Sequence, residues 1–431
     1  MTVDEAPPRT AEQAALDGYR QSLRWKRRIY AAVIAVLVVT AAIVVKVAYS
    51  HGEISHATLR TTNTELIAPP LRPISVSPTQ PWRSSDHSAI GTPVWDGTVV
   101  TYGPRAVRGR NALTGEITWS YTRTDRTVCT AIQTQGVTIA VFRLHGNCDQ
   151  ITALDSNTGK RKWFRTLDKD GHPLNGTPSY SVGDFTVLFT TKDVIYALDP
   201  GGGLDRWLYY RPGCAISGAV LGSQGALIHQ TCTDPQCGAA KFCGPGDELV
   251  LRDATAGRSD NDKNNNPDQI KWSVPANGAT LPVSADKVIS AADPAFNSLQ
   301  THDAKTGRTT DELRLPGTTP SSDAIAAVAL DDAELIWIGG ATYAVPNTGD
   351  RLAWSLPTSG PPVVVPSESD TAPQLATAVL LVPTATGVGS VAAQSGKVSQ
   401  QYAVEAPPPG SGVFPFSSGF IVAGSAMVAY R

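Results

Sequence analysis

The sequence predicts an all-β chain that closes into an eight-bladed β-propeller behind one transmembrane helix. Three observations carry this: a turn-and-aromatic unit recurring along most of the chain, an apolar run near the N-terminus, and strands left over at both ends of the repeats.

The repeat comes first because it sets the architecture. Its clearest copy is Ala153, Asp155, Thr158, Gly159 and Trp163, and the next keeps the same offsets at Ala197, Asp199, Gly203 and Trp207. An earlier copy runs through Asn111, Thr114, Gly115 and Trp119. Weaker copies follow at Asp253 to Gly257 with a delayed Trp272, and at Asp303, Thr306 and Gly307 without a Trp. Two more lie at Thr348, Gly349 and Trp354, and at Ser395, Gly396 and Tyr402. Successive turns stand about 42 to 55 residues apart, the length of a four-stranded blade.

Each position in the unit has a physical task. Gly supplies the positive φ of a tight turn, and the Asp, Asn and Thr oxygens accept bonds from exposed turn amides. Trp is expected between blades, its N–H reaching a backbone carbonyl. That explains a composition with 9 Trp and 12 Tyr but only 2 Met.

Blade number follows from the chain ends. After the seventh turn, residues 411 to 431 offer three strands and stop, while the stretch Ile74 to Ser85 contains Trp82 where an outer strand places its aromatic. An N-terminal strand completing the last blade gives eight blades and leaves no open edge. Seven blades is the alternative, with residues 413 to 431 completing the first blade instead.

The motif Ala-x-Asp-x-x-Thr-Gly-x-x-x-Trp resembles the repeat of pyrroloquinoline-quinone-type (PQQ-like) β-propellers, a group containing quinoprotein alcohol dehydrogenases and many non-enzymatic envelope proteins. The resemblance spans roughly residues 75 to 431 and is sharpest in its first three copies. The enzymes it brings to mind hold their quinone over the propeller axis with calcium and a disulfide between neighbouring cysteines. This chain has no adjacent Cys pair, and their Glu, Asn and Asp ligands map onto no position here. Bound quinone is therefore not expected, and repeat likeness alone carries no activity.

Residues 29 to 45 contain no charge, and the run extends past Lys46 to Tyr49, about twenty residues, enough to cross a bilayer core with the lysine snorkelling outward. Arg20, Arg24, Lys26, Arg27 and Arg28 precede it, whereas only Lys46 and Arg60 follow closely, so the N-terminus is expected inside the plasma membrane and the rest outside. A cleaved signal peptide competes, but the run is longer than a usual apolar region and stands far from the first residue. The domain reading is a cytoplasmic tail over 1–28, a transmembrane helix over 29–49, an extracytoplasmic stalk over 50–72 and the propeller over 73–431.

Cys129, Cys148, Cys214, Cys232, Cys237 and Cys243 all fall on the side assigned to the outside, where thiols pair. The repeated spacings pair Cys129 with Cys148 and Cys214 with Cys232, each bridging the start of one strand and the end of the next. Cys237 and Cys243 would tie a loop. A zinc site at Cys232, Cys237, Cys243 and His229 competes but lacks a close Cys-x-x-Cys pair.

One metal site is legible. Asp260, Asp262, Asn264 and Asp268 sit at relative positions 1, 3, 5 and 9 of an insertion after Gly257, with Asn266 offering its carbonyl, a spacing resembling calcium loops of EF-hands and integrin-type propellers. Asn265 replaces the usual glycine and Lys271 stands where the bidentate Glu belongs, so a solvated polar loop is the competing reading.

A net charge of -2 gives no basic surface to follow a nucleic-acid backbone, and nucleic acid is excluded as a partner class. No G-x-S-x-G occurs, the seven His are dispersed, and Ser284 to Lys287 matches S-x-x-K without its companion motifs. Catalytic residues are thus not expected. The sequence favours a protein–protein or cell-envelope assembly scaffold binding envelope proteins or a cell-wall component, against a quinoprotein-like enzyme or a small-ligand sensor using the central funnel.

Overall fold

The computed structural model of the protein describes residues 19, 25–26, 29–41, 46, 53–67, 70, 72–169, 171–183, 185–233, 245–254, 269–316, 325–366 and 373–431. The chain divides into two units, Met1–Ala57 and Thr58–Arg431. In the first, residues 29–41 are helical and exposed, and Glu53–His56 forms one short turn of helix. Among the described residues no helix is long and apolar enough to cross a membrane.

The second unit is a ring of eight antiparallel blades. Blade 1 contains His87–Ser88, Thr98–Tyr102, Ala106–Asn111 and Ile117–Arg123, and blade 2 contains Thr127–Thr134, Val137–Leu144, Asn147–Asp155 and Arg161–Thr166. Blade 3 runs from Ser179 to Tyr209, blade 4 from Cys214 to Pro275, blade 5 from Leu281 to Arg314, blade 6 from Ile325 to Pro357 and blade 7 from Val363 to Tyr402. Blade 8 takes three strands from the C-terminus, Gly412–Phe416, Gly419–Ala423 and Met427–Tyr430. Its fourth is Trp82–Ser84, paired antiparallel through Trp82 with Ala429 and Ser84 with Met427. Eight blades closed by an N-terminal strand is the arrangement the chain ends imply, and seven is ruled out.

The ring is held together between blades rather than around one centre. Ile139, Val187, Phe189 and Tyr196 form a buried cluster that joins blades 2 and 3. Similar clusters join blades 5 and 6 through Leu299, Ile336 and Tyr343, and blades 7 and 8 through Leu381, Val413 and Phe420. Each blade thus buries both faces against neighbours, which is why its middle strands read as continuous apolar runs such as Ala333–Ile338.

The repeat tryptophans make the same joint six times. Nε1 of Trp82, Trp119, Trp163, Trp207, Trp272 and Trp354 donates to the carbonyls of Ala112, Ser156, Pro200, Ala254, Ala304 and Ala393, each in the following blade, at 2.6–3.1 Å. At Gly115, Gly159, Gly203, Gly307 and Gly396 the ring covers the turn glycine of that blade. At Gly159, φ is +72°, and a Cβ would come within 2.7 Å of Trp119. Asp155 holds the same turn by accepting from the Thr158 amide and hydroxyl at 2.9 and 2.8 Å.

Two joints depart from the pattern. Between blades 5 and 6, where the repeat has no Trp, the hydroxyl of Thr301 donates to the Gly349 carbonyl at 3.1 Å. Between blades 7 and 8 the receiving turn does not exist, because the chain ends fall there. Two backbone bonds replace it, Thr79 N–H to Arg431 O at 2.7 Å and Arg431 N–H to Thr79 O at 2.8 Å.

The segment before the ring lies along it. Ala57–Arg60 adds a fifth strand outside Ile117–Arg123. Thr62 then bonds the Thr158 carbonyl, and Arg72 bonds that of Ser417. These residues fall within the stretch expected as a stalk.

Candidate functional site

Antiparallel topology sorts the connections onto two faces. Links between strands 1 and 2, and between 3 and 4, open on one face, which carries the glycine turns. Links between strands 2 and 3, and from one blade to the next, open on the other. The second face holds both described disulfides, so the candidate interaction surface is built there.

Cys214 and Cys232 are directly opposed on strands 1 and 2 of blade 4 and are disulfide-bonded. Cys129 and Cys148 are also bonded, but Cys148 opens the third strand of blade 2 rather than closing the second. The intervening strand, Val137–Leu144, breaks register with both of its neighbours near its end, at Val141/Phe142 and Phe142/Leu144, and the bridge joins the first and third strands there. Its Cα atoms stand 6.1 Å apart, against 3.9 Å for the directly opposed pair.

Beside the blade 4 disulfide lies a polar network. Glu248, on strand 3, pairs with Arg211 from the link between blades 3 and 4. Gln230 Nε2 and the Ser273 hydroxyl each donate to Glu248 at 2.6 Å, one to each carboxylate oxygen. Tyr209 completes it by donating to Gln230 Oε1 at 2.9 Å, and burial pushes its phenol up to about 12. Both carboxylate oxygens have partners, so the network clamps three strands and an interblade link rather than offering a free base.

A hairpin, Asp168–Lys169 with His172–Pro173, folds over the same face beyond blade 2. Tyr196 donates its hydroxyl to the His172 carbonyl at 2.5 Å, and the His172 ring stacks on Tyr210 at 3.6 Å between centroids. Arg143 ties the following segment by donating to Thr177 at 3.1 Å. Among the described residues this side of the ring therefore presents a fixed relief.

The opposite face holds an apolar groove of about 270 Å³, lined by Leu66 and Ile67 of the N-terminal segment with Val94, Leu113, Pro366 and Phe416. Ile67 is 87% exposed.

In the quinoprotein enzymes whose repeat this chain resembles, the quinone sits over the axis. The innermost strands of blades 2 to 8, among them Ser179–Val182, Cys214–Gly222, Leu281–Ala285 and Ile325–Ala329, contain no Asp, Glu, Lys or Arg. A quinone with its calcium needs anionic ligands and cationic partners converging there, and these strands do not fit that group.

Of the residues singled out from sequence, Cys129, Cys148, Cys214 and Cys232 are placed and paired as proposed. Pairing of Cys232 with Cys214 also removes it from the zinc set. Asp260, Asp262, Asn264, Asn266 and Asp268, with Cys237 and Cys243, lie outside the described residues. Sequence reading missed the network at Glu248, because Arg211 and Glu248 are 37 positions apart and meet only through strand register. The one available signal was Glu248 entering the apolar run Leu249–Leu251 of the strand Gly246–Arg252.

Residues 75–212 match the sequence profile of a family described as "Outer membrane protein assembly factor BamB". No curated protein matches the sequence. Among solved structures, the computationally designed Ika8 protein is 10% identical, with 86% of this chain and 100% of Ika8 covered at a TM-score of 0.51. BamB from Moraxella catarrhalis is 18% identical, with 82% and 99% covered at a TM-score of 0.47. A quinohemoprotein alcohol dehydrogenase from Pseudomonas putida HK5 is 13% identical, with 85% and 78% covered at 0.46. At such identities a structural likeness speaks of fold only. The recurring Asp-to-Trp unit and the ring it builds make this chain an eight-bladed β-propeller, whose residues 75–212 are similar to that family.

Proposed function

We propose that the protein is a scaffold, anchored in the plasma membrane with its N-terminus in the cytoplasm, whose extracytoplasmic propeller binds envelope proteins or a cell-wall component. The match of residues 75–212 to the BamB-described family carries this reading, since that description names an assembly factor. The saturated network at Glu248 and the pinned hairpin at His172 support it, because a rigid relief suits recognition. The apolar run over 29–49 and the charge bias before it support the anchor. The Asp260 to Asp268 loop is assigned a structural calcium that stiffens blade 4, and no quinone is assigned.

The test is crosslinking of the full chain in intact cells, followed by identification of co-purified proteins and glycans. Recovery of the same envelope component with crosslinkers of different chemistry supports the scaffold. Recovery of none, together with a quinone absorbance band in the purified protein, overturns it. Calcium is tested separately: a rise in Tm on adding calcium that is absent in Asp260→Asn/Asp262→Asn supports the loop, and identical melting overturns it.

A further inference from the structure

Ser217 lies on the innermost strand of blade 4 and is exposed. It is the extra residue of a β-bulge: Ile216 pairs with Gln230 and Gly218 with His229, leaving Ser217 outside the ladder. A bulge re-aims the side chain it carries, and here the hydroxyl is turned onto Nδ1 of His229, with the His229 carbonyl a second acceptor at 3.1 Å. His229 is 1% exposed, and its Nε2 is buried without a hydrogen-bond partner. In the tautomer that carries the ring proton on Nε2, Nδ1 is the acceptor for this hydroxyl. Burial holds the imidazole below the ordinary histidine range, against the opposing pull of Asp247 on strand 3 and of the Asn277 backbone beyond strand 4, so the ring is neutral at pH 7.

The surroundings hold this pair in place. Cys214 stands three residues before Ser217 and Cys232 three after His229, so the disulfide locks both strands just beyond the dyad. The next residue on the strand is Gly218, whose missing side chain leaves room beside the hydroxyl. A Cβ there would meet only Pro282, at ordinary contact distance. An exposed hydroxyl on a buried neutral imidazole is the arrangement of a serine activated for attack on a carbonyl or phosphoryl centre.

We propose that Ser217 is a nucleophile with His229 as its general base, acting on small carboxylic esters that enter along the ring axis. Ser217 Oγ bonds the ester carbonyl carbon while its proton passes to His229 Nδ1. The alkoxide leaves with that proton, giving an alcohol and an acyl-serine. Water, deprotonated by the same nitrogen, then releases a carboxylic acid and returns the hydroxyl proton to Ser217. This adds an activity to the scaffold reading and does not depend on it.

The test uses the full-length protein and a fluorophosphonate probe, in which Ser217 Oγ bonds phosphorus, fluoride leaves and the proton goes to His229. The expected result is a single adduct, mapped by peptide mass spectrometry to Ser217, absent in S217A and formed at least tenfold more slowly in H229Q. Because H229Q alters a buried residue, the rate on unaltered protein is also followed against pH, and it should climb through a midpoint below the ordinary histidine range. No adduct, an adduct elsewhere, or a rate independent of both His229 and pH overturns the proposal.

Discussion

Trp119 donates its indole N–H to the Ser156 carbonyl of the next blade at 2.7 Å and lays its ring on Gly159. The joint has a polar part and a packing part, and two substitutions separate them. Trp119→Phe keeps most of the ring but leaves a buried carbonyl without its donor, which should cost about 1–3 kcal/mol. Gly159→Ala keeps the bond donor but meets both a positive φ and an atom at 2.7 Å, and should cost about 2–4 kcal/mol. Urea unfolding of both variants checks the values, and equal stability to the parent would remove the joint from the account.

How much of this was legible depended on separation along the chain. The Asp155 to Trp163 unit lies within one hairpin, so its chemistry could be read locally, and the ring followed from its period. The closing strand was legible because Trp82 stands alone before the first full blade. The bridge from Cys129 was legible as a pair but not as a path, since the strand count between Cys129 and Cys148 depends on where turns fall. The Glu248 network and the Ser217 bulge were not legible, because register is set by long-range pairing that no short pattern reports.

Trp82→Ala tests the closure of the ring. The residue packs into the joint between blades 8 and 1 and donates to Ala112 at 2.9 Å, so its loss should cost about 2–4 kcal/mol. It should also bare the edge of Met427–Tyr430, and size-exclusion chromatography should then show self-association that the parent lacks.

Removing the bridge at Cys214 and Cys232 by a double serine substitution should cost about 2–4 kcal/mol, the usual effect of a disulfide closing a short loop. Mild reduction of the parent should reproduce part of this loss in the same melting experiment.

Glu334 gives a pH dependence with a definite sign. It is 1% exposed, bonded to the Ser284 hydroxyl, and burial pushes its carboxyl up to about 8, with the nearby Asp286 charge adding to the rise. The folded protein then holds this proton more tightly than the unfolded chain. Its contribution is complete at acid pH below the unfolded value and is lost as pH rises toward and through about 8. Glu334→Gln should flatten that decline and gain roughly 3–5 kcal/mol over the parent above it. Denaturant midpoints at pH 5 and pH 9 check this, and parallel curves would contradict it.

The paired backbone bonds between Thr79 and Arg431 join positions 352 residues apart. During synthesis the first strand of the ring must therefore wait until Arg431 has been made. Until then seven blades can form in order, each on the one before, while Trp82 has no partner strand. Bringing the two ends together costs closure entropy that no earlier contact reduces, so sealing is the final event and the slowest of its kind in this molecule. A chain stopped a few residues short of Arg431 would lose little of its buried surface, yet it would remain an open ring whose terminal strand can be completed by a second molecule.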